Sequence, residues 1–214
     1  MQTFPLSRGS ILTDKLIAAI QGHKQYLSDI DGAIGDGDHG INMNKGFSMW
    51  KEALEKEPGD LSHSLLMLAR ILLMKIGGSM GPLYGKFFMA FAKSLQGKEE
   101  IGREDFLLAL KASIEAIQGI SKAQLGDKTL MDVLIPATEA YEQAVKEGLP
   151  FVQSLERMQQ AAIAGRDSTK DMVARIGRAS RLGERSKGTI DPGAASSCLI
   201  LTTIAGGIVE LLNC

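Results

Sequence analysis

Cysteine, aromatic side chains and net charge are all in short supply in this sequence, and the shortages of cysteine and charge each exclude a class of protein. Cys198 and Cys214 are the only cysteines among 214 residues, and neither belongs to a CxxC pair. Two such thiols make neither a disulfide framework nor a zinc cluster; they read as small core or terminal residues in a reducing cytoplasm. Phe, Trp and Tyr together reach only 5%. Acidic and basic residues nearly cancel, leaving a formal net charge of −1, so there is no global basic footprint for nucleic acid. Met1–Ser10 holds no apolar run of the kind a secretory signal needs. Long uncharged runs are missing too, with one exception, Pro192 to Val209. That run only marginally meets the length of a membrane span and contains Ser196, Ser197, Thr202, Thr203, Gly206 and Gly207. It reads as the innermost helix of a soluble bundle.

Apolar residues (44%) and charged residues (23%) are present in ordinary proportion, which excludes intrinsic disorder. A chain this long buries roughly 70% of the surface its unfolded form exposes, and residues 1–214 read as a single domain. Apolar spacing is helical almost throughout, as in Leu12, Leu16, Ile17 and Ile20, or Phe87, Phe88, Phe91 and Leu95. The periodicity predicts eight helices, at 10–29, 40–56, 61–76, 82–96, 103–120, 129–147, 150–174 and 192–212. No stretch alternates with period two for long enough to predict a sheet. Short turns such as Pro58-Gly59 and Gly148-Leu149-Pro150 favour antiparallel neighbours, hence an all-α, up-and-down domain.

Glycine is in excess, at 24 residues, and it clusters. Gly32, Gly35, Gly37 and Gly40 fall in a loop that also carries Asp31, Asp36 and Asp38. Three carboxylates so close would repel one another if left bare. Asp36 and Asp38, two apart in an extended turn, face one side, and Asp31 can fold back over the glycines to join them. An oxygen-only set suits a hard divalent cation. An EF-hand is excluded, because counting from Asp36 its sixth position is Ile41 and its twelfth Phe47. The segment also fits G-x-G-x-x-G, but a helix precedes it and its aspartates would repel phosphate unless metal stood between. His39 reads equally as a phosphate donor or as an ordinary loop histidine.

Two further loops complete the pattern. Gly77-Gly78-Ser79-Met80-Gly81-Pro82 can wrap a phosphate or ribose, or simply turn the chain; it lacks P-loop spacing. Arg175, Arg178, Arg181, Arg185 and Lys187 face a single acid, Glu184, in a glycine-punctuated loop. Such a loop suits polyphosphate contact, or else a solvated or docking surface. It ends at Asp191-Pro192-Gly193, a helix cap and first turn. Gly126-Asp127-Lys128-Thr129 is another loop-to-helix junction, with Asp127 as its expected cap. An acidic metal loop, a glycine turn and a basic loop together specify a metal–nucleotide site at one end of a helical domain.

The run Ile34-Gly-Asp-Gly-Asp-His-Gly-Ile-Asn-Met-Asn-Lys-Gly-Phe47, then Gly77-Gly-Ser-Met-Gly-Pro-Leu-Tyr-Gly85, Gly126-Asp-Lys-Thr129, Gly177-Arg-Ala-Ser-Arg-Leu-Gly-Glu-Arg-Ser186 and Asp191-Pro-Gly-Ala194 resembles the nucleotide-binding L subunit of dihydroxyacetone kinases. The resemblance implies an eight-helix antiparallel barrel with the nucleotide site at one end. It implies that Asp31, Asp36 and Asp38 hold two Mg²⁺ ions bridging the phosphates of ADP or ATP. His39, Gly40, Ile41 and Asn42 would approach the phosphates, Ser79 and Met80 would contact the nucleotide, and Leu130 would pack near adenine. Arg178 would pair with phosphate, and Asp191, Pro192 and Gly193 would close over the nucleoside. The γ-phosphoryl group would pass to a small ketose held on a histidine of a separate substrate-binding subunit. Phosphoryl transfer relies on positioning and charge neutralisation, which agrees with the lack of any nucleophile set in this chain. A stand-alone chain leans toward an arrangement in which ADP stays bound and is rephosphorylated by a phosphotransferase-system protein. An ATP-exchanging subunit, a four-carbon ketose, a non-catalytic Mg·ADP-binding regulator and a homodimer stay open, as does a lipid-binding barrel, suggested only by the apolar last helix. Met80 departs from many relatives, which carry Ser there.

Overall fold

The computed structural model describes residues 2–213; Cys214 lies outside the described residues. Nine α-helices are present among these: α1 (Ser10–Gly22), α2 (Lys24–Ile34), α3 (His39–Lys56), α4 (Leu61–Lys75), α5 (Met80–Leu95), α6 (Arg103–Gln118), α7 (Met131–Lys146), α8 (Phe151–Ser168) and α9 (Pro192–Leu212). From α3 onward each helix packs on the next, α9 returns to pack on α1, and α1 meets α3, so the helices close into a ring. The expected all-α, antiparallel architecture is therefore present, with its first stave in two pieces.

The break falls at His23, whose backbone (φ −104°, ψ 8°) leaves the helical region directly after Gly22. The periodicity predicted one helix ending at 29. Instead α2 runs on to Ile34, because that side chain is buried (4% exposed) and the Gly35 N–H closes the last turn on the Asp31 carbonyl. Asp31 and Gly32 thus sit on a helix end instead of in a loop. The stretch expected as helix to 174 stops at Ser168 and passes through a short 3-10 turn, Thr169–Asp171. A two-stranded antiparallel ribbon, β1 (Thr3–Pro5) with β2 (Glu100–Gly102), pairs Phe4 with Ile101. At three residues each, its strands are too short to show a period of two.

Caps explain several boundaries. Asp60 accepts the His63 N–H (2.8 Å) at the start of α4, and Asp191 accepts the Ala194 N–H (2.8 Å) at the start of α9. Pro136 lies inside α7 and cannot donate to the Asp132 carbonyl. Gly165 of α8 packs on that same carbonyl, where any side chain would collide.

The few aromatics are spent almost wholly on the core. All seven Phe and Trp50 are buried, at 3% exposure or less. Phe47, Phe88, Phe87, Phe91, Phe106 and Phe151 form a chain of ring contacts from α3 through α5 and α6 to α8. Each buried ring contributes roughly 1.5–3 kcal/mol. Helix α9 is long and apolar enough by composition to cross a membrane, yet 61% of that window is buried inside the fold. Packing against α1, α7 and α8 accounts for its apolarity.

Candidate functional site

One end of the ring gathers the C-termini of α2 and α4 and the N-termini of α3, α5, α7 and α9 around a cavity of about 410 Å³. Helix N-termini carry unpaired N–H groups and positive dipole ends, so this rim favours anions.

The acidic corner is built by the turn between α2 and α3. Asp31 lies on the last turn of α2, while Asp36 and Asp38 follow through Gly37 in a left-handed conformation (φ +76°). Carboxylate oxygens of all three lie within 4.8 Å of one another. A Cβ on Gly35 would collide with Asp31 Oδ1, so glycine is what lets that carboxylate fold over the turn. The His39 N–H, at the head of α3, donates to Asp31 Oδ2 (3.1 Å). Arg178 reaches across from the basic loop to pair with Asp36. The donor set is oxygen only, partly exposed and preassembled, and it fits a hard divalent cation.

His39 is tied into a buried network. Its Nε2 lies 2.8 Å from Ser196 Oγ, and Ser196 in turn lies 2.6 Å from the Tyr84 hydroxyl, which also reaches Ser197 Oγ (2.9 Å) and the Gly193 carbonyl (3.0 Å). Burial pushes the imidazole down to about 4, and nearby Asp31 opposes this only in part. His39 is thus a neutral ring at neutral pH, with Nε2 engaged by Ser196. Burial likewise raises Tyr84 to about 12, so its hydroxyl stays protonated. The network fastens α3 and α5 to the first turn of α9.

The glycine turn supplies the opposite wall. Gly77 and Gly78 (φ +70°) have open space around them, so their backbone is bare toward the cavity. Ser79 is exposed and caps nothing with its side chain, while Met80 is buried (7% exposed) and belongs to the core as well as to the cavity wall. Leu130, 5% exposed, lines the floor. Asp191, Pro192 and Gly193 close the far side.

Of the residues singled out from sequence, Asp31, Asp36, Asp38, His39, Asn42, Ser79, Met80, Leu130, Arg178, Asp191, Pro192 and Gly193 all line this cavity. Gly40 and Ile41 do not. A Cβ on Gly40 would strike the Lys24 carbonyl and Ser28, so this glycine lets α3 press against α2. Ile41 is 53% exposed on the outer side of α3. Sequence reasoning missed Tyr84 and Ser196, and it found the junction before α7 but not the hydrogen bonds that hold it. At that junction Asp127 does not cap the helix: the cap position is Leu130, Asp127 accepts the Gln124 N–H (2.8 Å), and Asp132, in the first turn of α7, folds back to accept from the Gly126 and Thr129 N–H groups (2.5 and 2.7 Å). The polar pair Ser196-Ser197 in an otherwise apolar run was the one available signal for the network.

A family model described as the DAK2 domain matches residues 33–206. The chain belongs to the DAK2-domain family. The resemblance drawn from its five motifs therefore holds. This DAK2-domain chain is 43% identical over 182 residues to the ADP-binding subunit DhaL of PEP-dependent dihydroxyacetone kinase 1 of Listeria innocua, covering 85% of this chain and 86% of that one. It is 37% identical to the ADP-binding subunit DhaL of Escherichia coli, covering 85% and 87% of the two chains. The solved structure of the dihydroxyacetone kinase of C. freundii superposes with a TM-score of 0.70 at 22% identity, over 96% of this chain and 36% of that longer one. At that identity the likeness concerns the fold, and it agrees with the all-helical ring.

Proposed function

We propose that this DAK2-domain chain is the nucleotide-binding subunit of a dihydroxyacetone-type kinase, with residues 1–214 acting as one unit in the cytoplasm. The observation that carries this reading is the convergence of Asp31, Asp36 and Asp38 with Arg178 in a cavity rimmed by four helix N-termini. Carboxylates alone would repel a polyphosphate, and helix ends alone would hold it loosely. The combination suits a nucleotide whose phosphates reach the carboxylates through divalent metal.

In this reading Asp31, Asp36 and Asp38 hold two Mg²⁺ ions, which neutralise phosphate charge when bound. Arg178 exchanges Asp36 for a phosphate oxygen, which its forked donors match. The bare amides of Gly77 and Gly78 and the Ser79 hydroxyl approach the nucleotide from one side, and Leu130 and Pro192-Gly193 enclose the base and sugar. His39 serves as a neutral strut that fixes the α3 N–H groups and Asn42 toward the phosphates. The carboxylates of the acidic corner are taken up by metal in this reading, and no further base is required of this chain, because the acceptor hydroxyl belongs to a small ketose presented by a separate substrate-binding subunit. The relatives matched over most of both chains are named PEP- or PTS-dependent subunits. This supports retention of ADP and its rephosphorylation by a phosphotransferase-system donor protein.

The test is a phosphoryl-transfer assay on the purified chain combined with a dihydroxyacetone-binding subunit, comparing ATP with a phosphotransferase donor. Turnover of dihydroxyacetone that stops on chelating Mg²⁺ is the expected result. No transfer with either donor, from a chain that binds Mg·ADP, would reduce the protein to a nucleotide-binding partner.

A further inference from the structure

Lys128 is the one buried lysine among the described residues, at 1% exposure, and the one described non-glycine residue with a left-handed backbone (φ +62°). Both features are costly. A left-handed L-residue is disfavoured by roughly 1–2 kcal/mol, and a buried ammonium loses its hydration unless it is fully partnered. No carboxylate within ion-pair distance relieves that charge among the described residues. A methionine or leucine would fill the same space without the second cost. The ammonium must therefore do something that volume alone does not.

Its hydrogen bonds show what that is. Lys128 Nζ donates to the backbone carbonyls of Thr169 (2.8 Å), Met172 (3.3 Å), Ser186 (2.6 Å) and Thr189 (2.6 Å). Two of these acceptors lie where the chain leaves α8 and two where it returns toward α9. The ammonium thus clasps both ends of the basic loop, residues 172–190. Backbone bonds reinforce the same base: Gly188 N–H to the Lys170 carbonyl (2.8 Å), Arg175 N–H to the Asp127 carbonyl (3.1 Å), and Ala174 N–H to Ser186 Oγ (2.9 Å). The Asp191 N–H donates to Thr169 Oγ1 (3.0 Å), which carries the constraint into the start of α9. Above this pinned base, the loop presents exposed Arg178 at the acidic corner. Without the ammonium, four carbonyl dipoles would converge with nothing between them, and the base of the loop would spread.

We propose that Lys128 is a positioning residue for the nucleotide site: its ammonium, held on the junction before α7, closes the base of the 172–190 loop and so fixes Arg178 over the aspartate cluster. This rests on the nucleotide-binding reading above only for the ligand; the clasp itself stands on the backbone contacts. Lys128 touches no reacting atom in this account and acts through Arg178.

The test uses the full chain and Lys128→Met, which keeps length and apolar volume but removes the donors. Tryptic cleavage between Arg175 and Lys187, without ligand, should accelerate roughly tenfold or more as the base opens. Calorimetry with ADP and Mg²⁺ should show affinity roughly tenfold weaker, the equivalent of about 1.4 kcal/mol. Adding Arg178→Ala to Lys128→Met should bring little further loss, because the arginine is already displaced; a purely structural lysine would give additive losses. Unchanged cleavage and affinity, or clean additivity, would overturn the proposal. Should Lys128→Met fail to fold, hydrogen exchange on the unaltered protein decides. The Arg175 and Gly188 amides should exchange as slowly as those of α9, and exchange at the rate of an open loop refutes the clasp. The cleavage and exchange measurements need no nucleotide. A chain that binds no Mg·ADP would therefore sink the proposed function while leaving the clasp to stand or fall by itself.

Discussion

Replacing Asp191 by Asn is expected to stabilise the protein at neutral pH while weakening its site. Burial, above all, pushes the Asp191 carboxyl up to about 7 from an ordinary 3.8; Asp132 adds to the rise, while Lys128 and the Ala194 and Gly193 amides oppose it. Between those two values the folded state holds the proton and the unfolded state does not. Stability therefore falls as pH climbs from about 4 to about 7. At 1.36 kcal/mol per pH unit the full gap corresponds to about 4 kcal/mol. Asp191 is only partly buried by surface area, and water at its open side reduces this to about 1–2 kcal/mol. Asn caps a helix as well as Asp does, so the bond to the Ala194 N–H survives and the ionisation cost disappears. Urea denaturation of both proteins at intervals from pH 4 to 7.5 is the assay. The two stabilities should coincide near pH 4, and the Asn variant should lead by about 1–2 kcal/mol at pH 7, with poorer ADP binding. A gap that does not change with pH, or a wild type that leads at pH 7, refutes the electrostatic argument.

The remaining predictions concern the acidic corner and its supports. Asp36→Asn should cut ADP affinity by at least about tenfold and abolish its dependence on Mg²⁺ in calorimetry; unchanged affinity would remove the metal bridge. Arg178→Ala should weaken ADP binding while Arg185→Ala, which forms no ion pair among the described residues, leaves it near wild type; equal losses would make the loop one continuous binding surface. Gly40→Ala should destabilise the fold by about 1–3 kcal/mol, because the new methyl strikes the Lys24 carbonyl, and a shift in the urea midpoint measures it. Tyr84→Phe leaves Ser196, Ser197 and the Gly193 carbonyl short of a partner. It should cost about 1–3 kcal/mol, read as a lower melting temperature.

Much of this architecture is visible in the residues because its causes are local. Apolar periodicity marks each stave of the ring, since a helix displays its buried face every turn. The aspartate corner is legible for the same reason: Asp31, Asp36 and Asp38 meet through one short turn. What stays hidden depends on residues far apart in the chain. His39 finds Ser196, and Lys128 finds carbonyls of Thr169 to Thr189, only after the ring closes. Backbone acceptors leave no trace in side-chain patterns, so Lys128 looks like any junction lysine. Gly40 sits inside a phosphate-like motif yet serves contact between two helices, a distinction that needs the neighbouring helix to be in place. The bend at His23 and the three-residue strands fall below the length at which periodicity speaks.

The seam between α1 and α9 has a consequence for how the protein is made. Most neighbours in the ring follow one another in the chain and can dock as they leave the ribosome, but α1 must wait for α9. Until residues 192–212 arrive, the face of α1 that packs on α9, where Leu12 lies against Gly207, lacks that cover. Such open intermediates are slow to close and prone to association. The same late segment brings Asp191, Gly193 and Ser196, so the cavity is finished only by the event that seals the core. A ligand that binds the finished cavity adds its free energy to the closed ring alone. Nucleotide present during synthesis should therefore raise the yield of folded protein, and a chain stopped before α9 should gain nothing from it.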